Sequence, residues 1–204
     1  MHRETNVWLL RHPEPEAAAR GQCYGSLDLG LSDDGIQQAH SLAEALAAKP
    51  ITAIYTSPMR RCTQAASILA LGRVCPVETV DDLREMHFGE FEGRTYDEIA
   101  SAYPELYRQW MEGPAEMQFP GGECLRDTCV RVLDAARRLR ERHAGESIAI
   151  VAHGGVNRII LADALGMDMT RIFRIGQSYG ALNLIRYVGD VPVVELVNSH
   201  FGRS

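Results

Sequence analysis

Val7-Trp8-Leu9-Leu10-Arg11-His12-Pro13 is the stretch on which the fold turns. Four successive apolar residues bounded by polar ones fit a short strand buried on both faces, as in the middle of a parallel sheet. Pro13 cannot donate to a ladder and biases the residue before it toward extended backbone, so the strand ends at His12. Open α/β sheets bind ligands at that carboxyl edge. Arg11 and His12 therefore put a fixed cation beside a potential nucleophile there. An arginine-histidine pair is common, and a solvated strand end accounts for these seven residues taken alone.

The same buried pattern recurs downstream. Ala53-Ile54-Tyr55-Thr56-Ser57 reads as a second strand, residues 77–80 as a third and 147–152 as the clearest of all, while 181–188 and 192–197 give two more near a sheet edge. Helical spacing separates them. Ser32-Asp33-Asp34 opens a helix carrying Ile36, Ala39, Ala43 and Leu46, and Lys49-Pro50 closes it. Pro58 suits the first turn of a helix carrying Cys62, Ala65, Ala66 and Leu69, ended by Gly72. Leu125, Cys129, Val132, Ala136 and Leu139 mark a long amphipathic helix to about His143. Strand-helix alternation predicts an α/β three-layer sandwich, a mostly parallel sheet with helices on both faces. The 204 residues fit one domain. Two short helices over 95–103 and 104–112, with the Gly/Pro-rich segment that follows, form a helical insertion at about 94–122 carrying Tyr96, Tyr103, Tyr107 and Trp110.

Several features point to an anion. Arg60 and Arg61 occupy the amino end of a helix, where the partial positive charge disfavours cations unless an anion is present. His153-Gly154-Gly155 ends a buried strand and opens a helix, so N–H groups and helix dipole face the position of His153. The segment from Pro13 to Leu31 is long for a structureless loop and forms a lid or pocket wall. In a parallel sheet Arg11, His12, Arg61 and His153 converge. The net charge of −6 excludes broad binding to nucleic acid or to an anionic membrane, but permits a small anion in one basic pocket. Five cysteines without a Cys-x-x-Cys pair read as reduced thiols, and Met1 to Thr5 leave no room for a signal peptide, so the expected location is cytoplasmic.

With Glu85 added, the chain resembles the histidine phosphatase superfamily, which includes the cofactor-dependent phosphoglycerate mutases. The resemblance rests on Leu9-Leu10-Arg11-His12, Thr56-Ser57-Pro58-Met59-Arg60-Arg61-Cys62, Leu83-Arg84-Glu85 with Phe88-Gly89 and Glu92-Gly93, and Ala152-His153-Gly154-Gly155. It implies that His12 is the nucleophile, Glu85 the proton donor, and Arg11, Arg61 and His153 the phosphate clamp, with Arg60 a solvated neighbour. Tyr24 and Gly25 are implied substrate contacts. No metal or other cofactor is implied. His12, Glu85, His87 and His153 lack a metal-ligand spacing, and two arginines would repel a cation.

Pro13 in place of the usual glycine, Ala18 in place of a phosphate-binding asparagine, and the short length favour a phosphatase over a mutase. The implied activity is metal-independent hydrolysis of a small-molecule phosphate monoester through phosphohistidine. Tyr24-Gly25-Ser26-Leu27-Asp28, Pro120-Gly121-Gly122-Glu123 and Tyr179-Gly180-Ala181-Leu182-Asn183 look most like α-ribazole phosphatases of cobalamin biosynthesis, which makes α-ribazole 5′-phosphate a candidate substrate. His87 and Cys124 depart from that pattern. A phosphoglycerate mutase and a noncatalytic phospholigand-binding protein are the alternatives. The partner is a small phosphate ester, and an edge strand near Val193 would permit a homodimer.

Overall fold

The computed structural model describes residues 4–16, 21–113 and 117–201. Its centre is a six-stranded sheet built from β1 (Glu4–Arg11), β2 (Ile51–Thr56), β3 (Val77–Thr79), β4 (Ser147–Ala152), β5 (Leu182–Val188) and β6 (Val191–Ser199), in the order β3-β2-β4-β1-β5-β6. The pairs β1/β4, β4/β2 and β2/β3 are parallel, whereas β5 runs antiparallel to both β1 and β6. β1, β2 and β4 thus deliver their carboxyl ends to one edge, with Arg11 in register with Ala152 and Thr56 with Val151.

Alternation along β1 decides which helix packs where. Val7 and Leu9 face α5 (Leu125–Arg142) and α6 (Gly154–Ala164), in a core with Leu125, Val132, Leu139, Val156 and Ile160. Trp8 and Leu10 face α1 (Asp33–Leu46) and α2 (Arg60–Leu69), with Leu42, Leu46, Cys62, Ala66 and Leu69. The sheet is therefore covered on both sides, the α/β arrangement expected. Burying each large apolar side chain of β1 contributes roughly 1.5–3 kcal/mol, so the strand that carries the pocket residues is held firmly. No helix among the described residues is long and apolar enough to cross a membrane.

Local signals fix most helix starts. Ser32 caps α1 by accepting from the Gly35 N–H at 3.0 Å, and Asp33 and Asp34 complement the dipole of the first turn. Thr95 and Glu98 form a reciprocal capping box for α3 (Tyr96–Ala102), which leads into α4 (Pro104–Glu112). Pro58 is a correction, since it does not lie in the first turn of α2. That helix begins at Arg60 because its cap comes from elsewhere: the Arg60 N–H donates to Asp28 Oδ1 at 2.7 Å and the Arg61 N–H to Leu29 O at 3.0 Å. The loop after β1 is thereby tied to the helix that carries Arg61. α2 also stops at Leu69, short of Gly72, and β3 stops at Thr79, where the exposed edge gives it one partner only.

Candidate active site

His12 follows directly from the end of β1. Its main chain still pairs with β4, the N–H donating to Ala152 O at 2.9 Å. The side chain is buried, and Nδ1 lies 2.8 Å from Pro13 O. A carbonyl can only accept, so Nδ1 carries the proton in the neutral ring and Nε2 keeps its lone pair. Burial holds the His12 pKa well below the usual histidine value, the charges of Arg11 and Arg61 add to this, and the Pro13 carbonyl opposes it. The ring is neutral at ordinary pH and presents an unprotonated nitrogen.

Two guanidinium groups flank it. Arg61 is completely buried, with Nη1 donating to Leu27 O at 2.7 Å and Nη2 to Gly25 O at 2.8 Å. A Cβ on Gly25 would lie 2.0 Å from Met86 O, so only glycine lets this carbonyl reach the arginine. Arg11 donates through Nη1 to Gln177 O. That carbonyl belongs to a buried amide network in which Gln177 Nε2 donates to Asn183 Oδ1 at 2.6 Å, and Asn183 Nδ2 donates to Leu9 O at 3.0 Å. Among the described residues, Arg11 Nε and Arg61 Nε are buried donors without a partner. An oxyanion between the arginines would satisfy such groups.

His153 stands behind this pair, its ring 5.3 Å from that of His12. It is fully buried, with Nε2 2.7 Å from Ser57 Oγ and Nδ1 3.3 Å from Arg61 Nη2. Burial lowers its pKa well below the usual value, with Arg61 the next cause. Cys62 Sγ lies 3.5 Å from the same Nε2, and burial pushes this thiol up to about 12, so it stays protonated. Arg60, next to Arg61, is exposed.

Glu85 approaches from the opposite side. Its Oε1 accepts from the Met86 N–H and its Oε2 from the Gly155 N–H, both at 3.0 Å. A Cβ on Gly155 would sit 2.5 Å from Oε1, so the second glycine of His153-Gly154-Gly155 makes room for the carboxylate at the amino end of α6. Arg11, His12, Arg61 and Glu85 share one cleft of about 220 Å³, together with Tyr24 and Gly25. His153 contributes to its back and does not line it.

The outer walls come from several distant segments. Tyr24 and Tyr179 join hydroxyls at 2.5 Å above His12, and the Arg11 guanidinium stacks 4.2 Å from the Tyr179 ring centroid. Tyr96 and Trp110, from the helical pair α3 and α4, stack on each other and line the cleft. Trp110 is also wedged edge-on against Phe119, so it serves packing as well as the wall. Arg158, which is not among the residues expected from sequence, lines the cleft too. Its position four residues after Gly154 on one helix face was the available signal. Tyr179, Ser57 and the Gln177–Asn183 network offered no periodic signal. Ala18 lies outside the described residues. Among the described residues no group of three or more His, Cys, Asp or Glu side chains is disposed to hold a metal ion.

An uncharged imidazole, two arginines and a carboxylate gathered in one cleft at the carboxyl edge of parallel strands define an α/β enzyme for an anionic substrate. Residues 7–200 match the histidine phosphatase superfamily (branch 1). Phosphoserine phosphatase 1 of Hydrogenobacter thermophilus is 31% identical over 177 residues, 87% of this chain and 84% of that protein. Adenosylcobalamin/alpha-ribazole phosphatase of Salmonella typhimurium is 26% identical, over 95% of this chain and 96% of its own. The structure of Bacillus stearothermophilus YhfR superposes with a TM-score of 0.87 at 31% identity, covering 93% of this chain and 95% of that one. The chain belongs to the histidine phosphatase superfamily, and within it to the phosphoric monoester hydrolases.

Proposed function

We propose that the protein hydrolyses the phosphate monoester of a small alcohol through a phosphohistidine formed on His12, without a metal ion. The observation that carries this reading is the bond from His12 Nδ1 to Pro13 O, which leaves the Nε2 lone pair in the arginine-lined cleft. In the first step Nε2 forms a bond to phosphorus while the phosphorus–alcohol oxygen bond breaks. The leaving oxygen takes its proton from the Glu85 carboxylic acid. The ring becomes cationic, and Pro13 O continues to accept from Nδ1–H. In the second step water adds to phosphorus, the N–P electron pair returns to Nε2, and the Glu85 carboxylate takes the water proton. Ester and water become alcohol and inorganic phosphate, with His12 and Glu85 restored.

Arg11 and Arg61 hold the equatorial oxygens, where charge accumulates in the transition state. His153 closes the back of this cradle beside Arg61 Nη2. Tyr24 and Gly25 bound the phosphate end. Serine phosphate and α-ribazole 5′-phosphate are the candidate esters, suggested by the relatives and, for the second, by the sequence motifs as well.

The test is hydrolysis of p-nitrophenyl phosphate in excess chelator, with trapping of the phosphoenzyme by alkaline quench. The expected results are full activity in chelator, a phosphoryl adduct on the peptide containing His12, and loss of both in His12→Ala. Activity that survives in His12→Ala, or that needs added metal, overturns the reading. Conversion of 3-phosphoglycerate to its 2-isomer faster than phosphate release would make the protein a mutase instead.

A further inference from the structure

The mechanism above leaves one cleft residue without a task. Arg158 projects from the second turn of α6 beside the cleft and is partly buried. Its Nε donates to Ile175 O at 2.8 Å, and its guanidinium lies 5.7 Å from the Phe173 ring centroid. These contacts fix the group from one side. Among the described residues, neither Nη1 nor Nη2 has a hydrogen-bond partner.

Nη1 lies close to the start of α6. A Cβ built on Gly154 would meet Arg158 Nη1 at 3.1 Å and Arg11 Nε at 3.3 Å, and one on Gly155 would meet Glu85 Oε1 at 2.5 Å. Two consecutive glycines thus let Arg158, Arg11 and Glu85 crowd around one helix start. Burial and the neighbouring Arg11 charge lower the Arg158 pKa, and Glu85 opposes this. Holding two guanidinium groups this close costs free energy unless an anion lies near both.

A charge count then separates the roles. The dianion of a phosphate monoester balances Arg11 and Arg61. The first step proposed above uses Glu85 as the acid, and His12 and His153 are neutral, so in that complex Arg158 is left as the one unbalanced cation among these groups. Its Nη1 lies against Gly154, next to the Gly155 N–H that holds Glu85, so it stands close to the group that would protonate the leaving alcohol. A planar guanidinium with both terminal nitrogens available matches a carboxylate in a two-pronged bond.

We propose that Arg158 is the specificity-determining residue of the cleft and binds a carboxylate on the alcohol part of the substrate, so that the preferred substrates are phosphate monoesters of small hydroxy acids. The proposal rests on the phosphatase reading and adds the substrate class to it. It favours an ester such as serine phosphate over one whose alcohol is an uncharged nucleoside.

Matched pairs of esters that differ at the carboxylate test it: O-phosphoserine against O-phosphoethanolamine, and 3-phosphoglycerate against glycerol 3-phosphate. A charge-assisted bond predicts a kcat/KM ratio of roughly 10- to 100-fold in favour of the acid in the wild-type enzyme. Arg158→Met is expected to bring both ratios to within about 3-fold of unity, and Arg158→Lys to keep part of the preference. Ratios near one in the wild type overturn the proposal without any variant. So do ratios that Arg158→Met leaves unchanged, or α-ribazole 5′-phosphate as the best substrate. Failure of the wild type to hydrolyse any ester would instead sink the phosphatase reading itself.

Discussion

Arg61 Nη2 lies 3.3 Å from His153 Nδ1 in the back of the cleft. A guanidinium only donates, so this imidazole nitrogen accepts and the ring is neutral. The second nitrogen, 2.7 Å from Ser57 Oγ, then carries the proton and donates to the hydroxyl. Neutrality of His153 is thus a condition for Arg61 to hold its place, and neutrality of His12 is a condition for the nucleophilic role proposed for it.

Acid is therefore expected to destabilise the protein. Both histidines have folded pKa values well below 6.5, chiefly through burial. In the unfolded chain they take up protons near that value. Below it the unfolded state binds more protons, so stability is complete above pH 6.5 and falls as pH drops, by about 1.4 kcal/mol per pH unit for each histidine. Urea denaturation at pH 7.5, 6.5 and 5.5 measures this. A His12→Asn variant should show a shallower decline, and identical slopes would contradict the assignment.

Glu85→Gln should separate the two chemical steps. An aryl leaving group needs no proton, so phosphorylation by p-nitrophenyl phosphate should slow by less than about 10-fold, whereas hydrolysis of phosphohistidine should slow by roughly 10²–10⁴-fold. Rapid mixing is expected to show a burst of one p-nitrophenolate per active site, followed by a slow phase. Equal slowing of both steps would remove Glu85 from its role.

Two alanine substitutions should behave differently although both replace cleft glycines. In Gly155→Ala the new methyl meets the end of the Glu85 side chain, which can swing away. Little stability should be lost, while kcat for alkyl phosphates falls by roughly 10- to 100-fold as the acid leaves its place. In Gly25→Ala the methyl meets the Met86 backbone oxygen at 2.0 Å, which cannot yield. About 3 kcal/mol of stability should be lost, measured by denaturant melts.

Asn183→Leu removes the acceptor of Gln177 Nε2 and the donor to Leu9 O. Gln177 Nε2 keeps its bond to Gly176 O, but the Asn198 N–H also loses its acceptor, and the loss of these buried bonds should cost about 1–3 kcal/mol. Because Gln177 O receives Arg11 Nη1, the KM for phosphate esters should rise more than kcat falls. A loss of stability with unchanged KM would show that the network serves the fold alone.

The buried strands were legible because continuous apolar runs have few other uses: Ser147 to Ala152 appears in the structure with the bounds read from sequence, and every residue of it is buried. The gathering of Arg11, His12 and Arg61 in one cleft, with His153 behind them, was legible because parallel topology aligns strand ends, whereas Glu85, which follows no strand directly, was legible only through the family resemblance. Other features left a weaker trace or none. The cap on α2 comes from Asp28, 32 residues earlier in the chain, so Pro58 misled the reading of its start. Arg158 was not among the expected site residues, because hydrophobic periodicity cannot tell a solvent-facing arginine from one facing a cleft. The amide pair Gln177 and Asn183 sits across a turn, where no period operates.

The place of β1 between β4 and β5 has a consequence for biosynthesis. The strand that leads into His12 is translated more than 130 residues before either of its neighbours in the sheet. Until then a strongly apolar segment has nothing to pair with, and folding must wait for contacts of long sequence separation. Early termination or slow translation before β4 and β5 are made should therefore leave nascent chains prone to aggregation and dependent on chaperones.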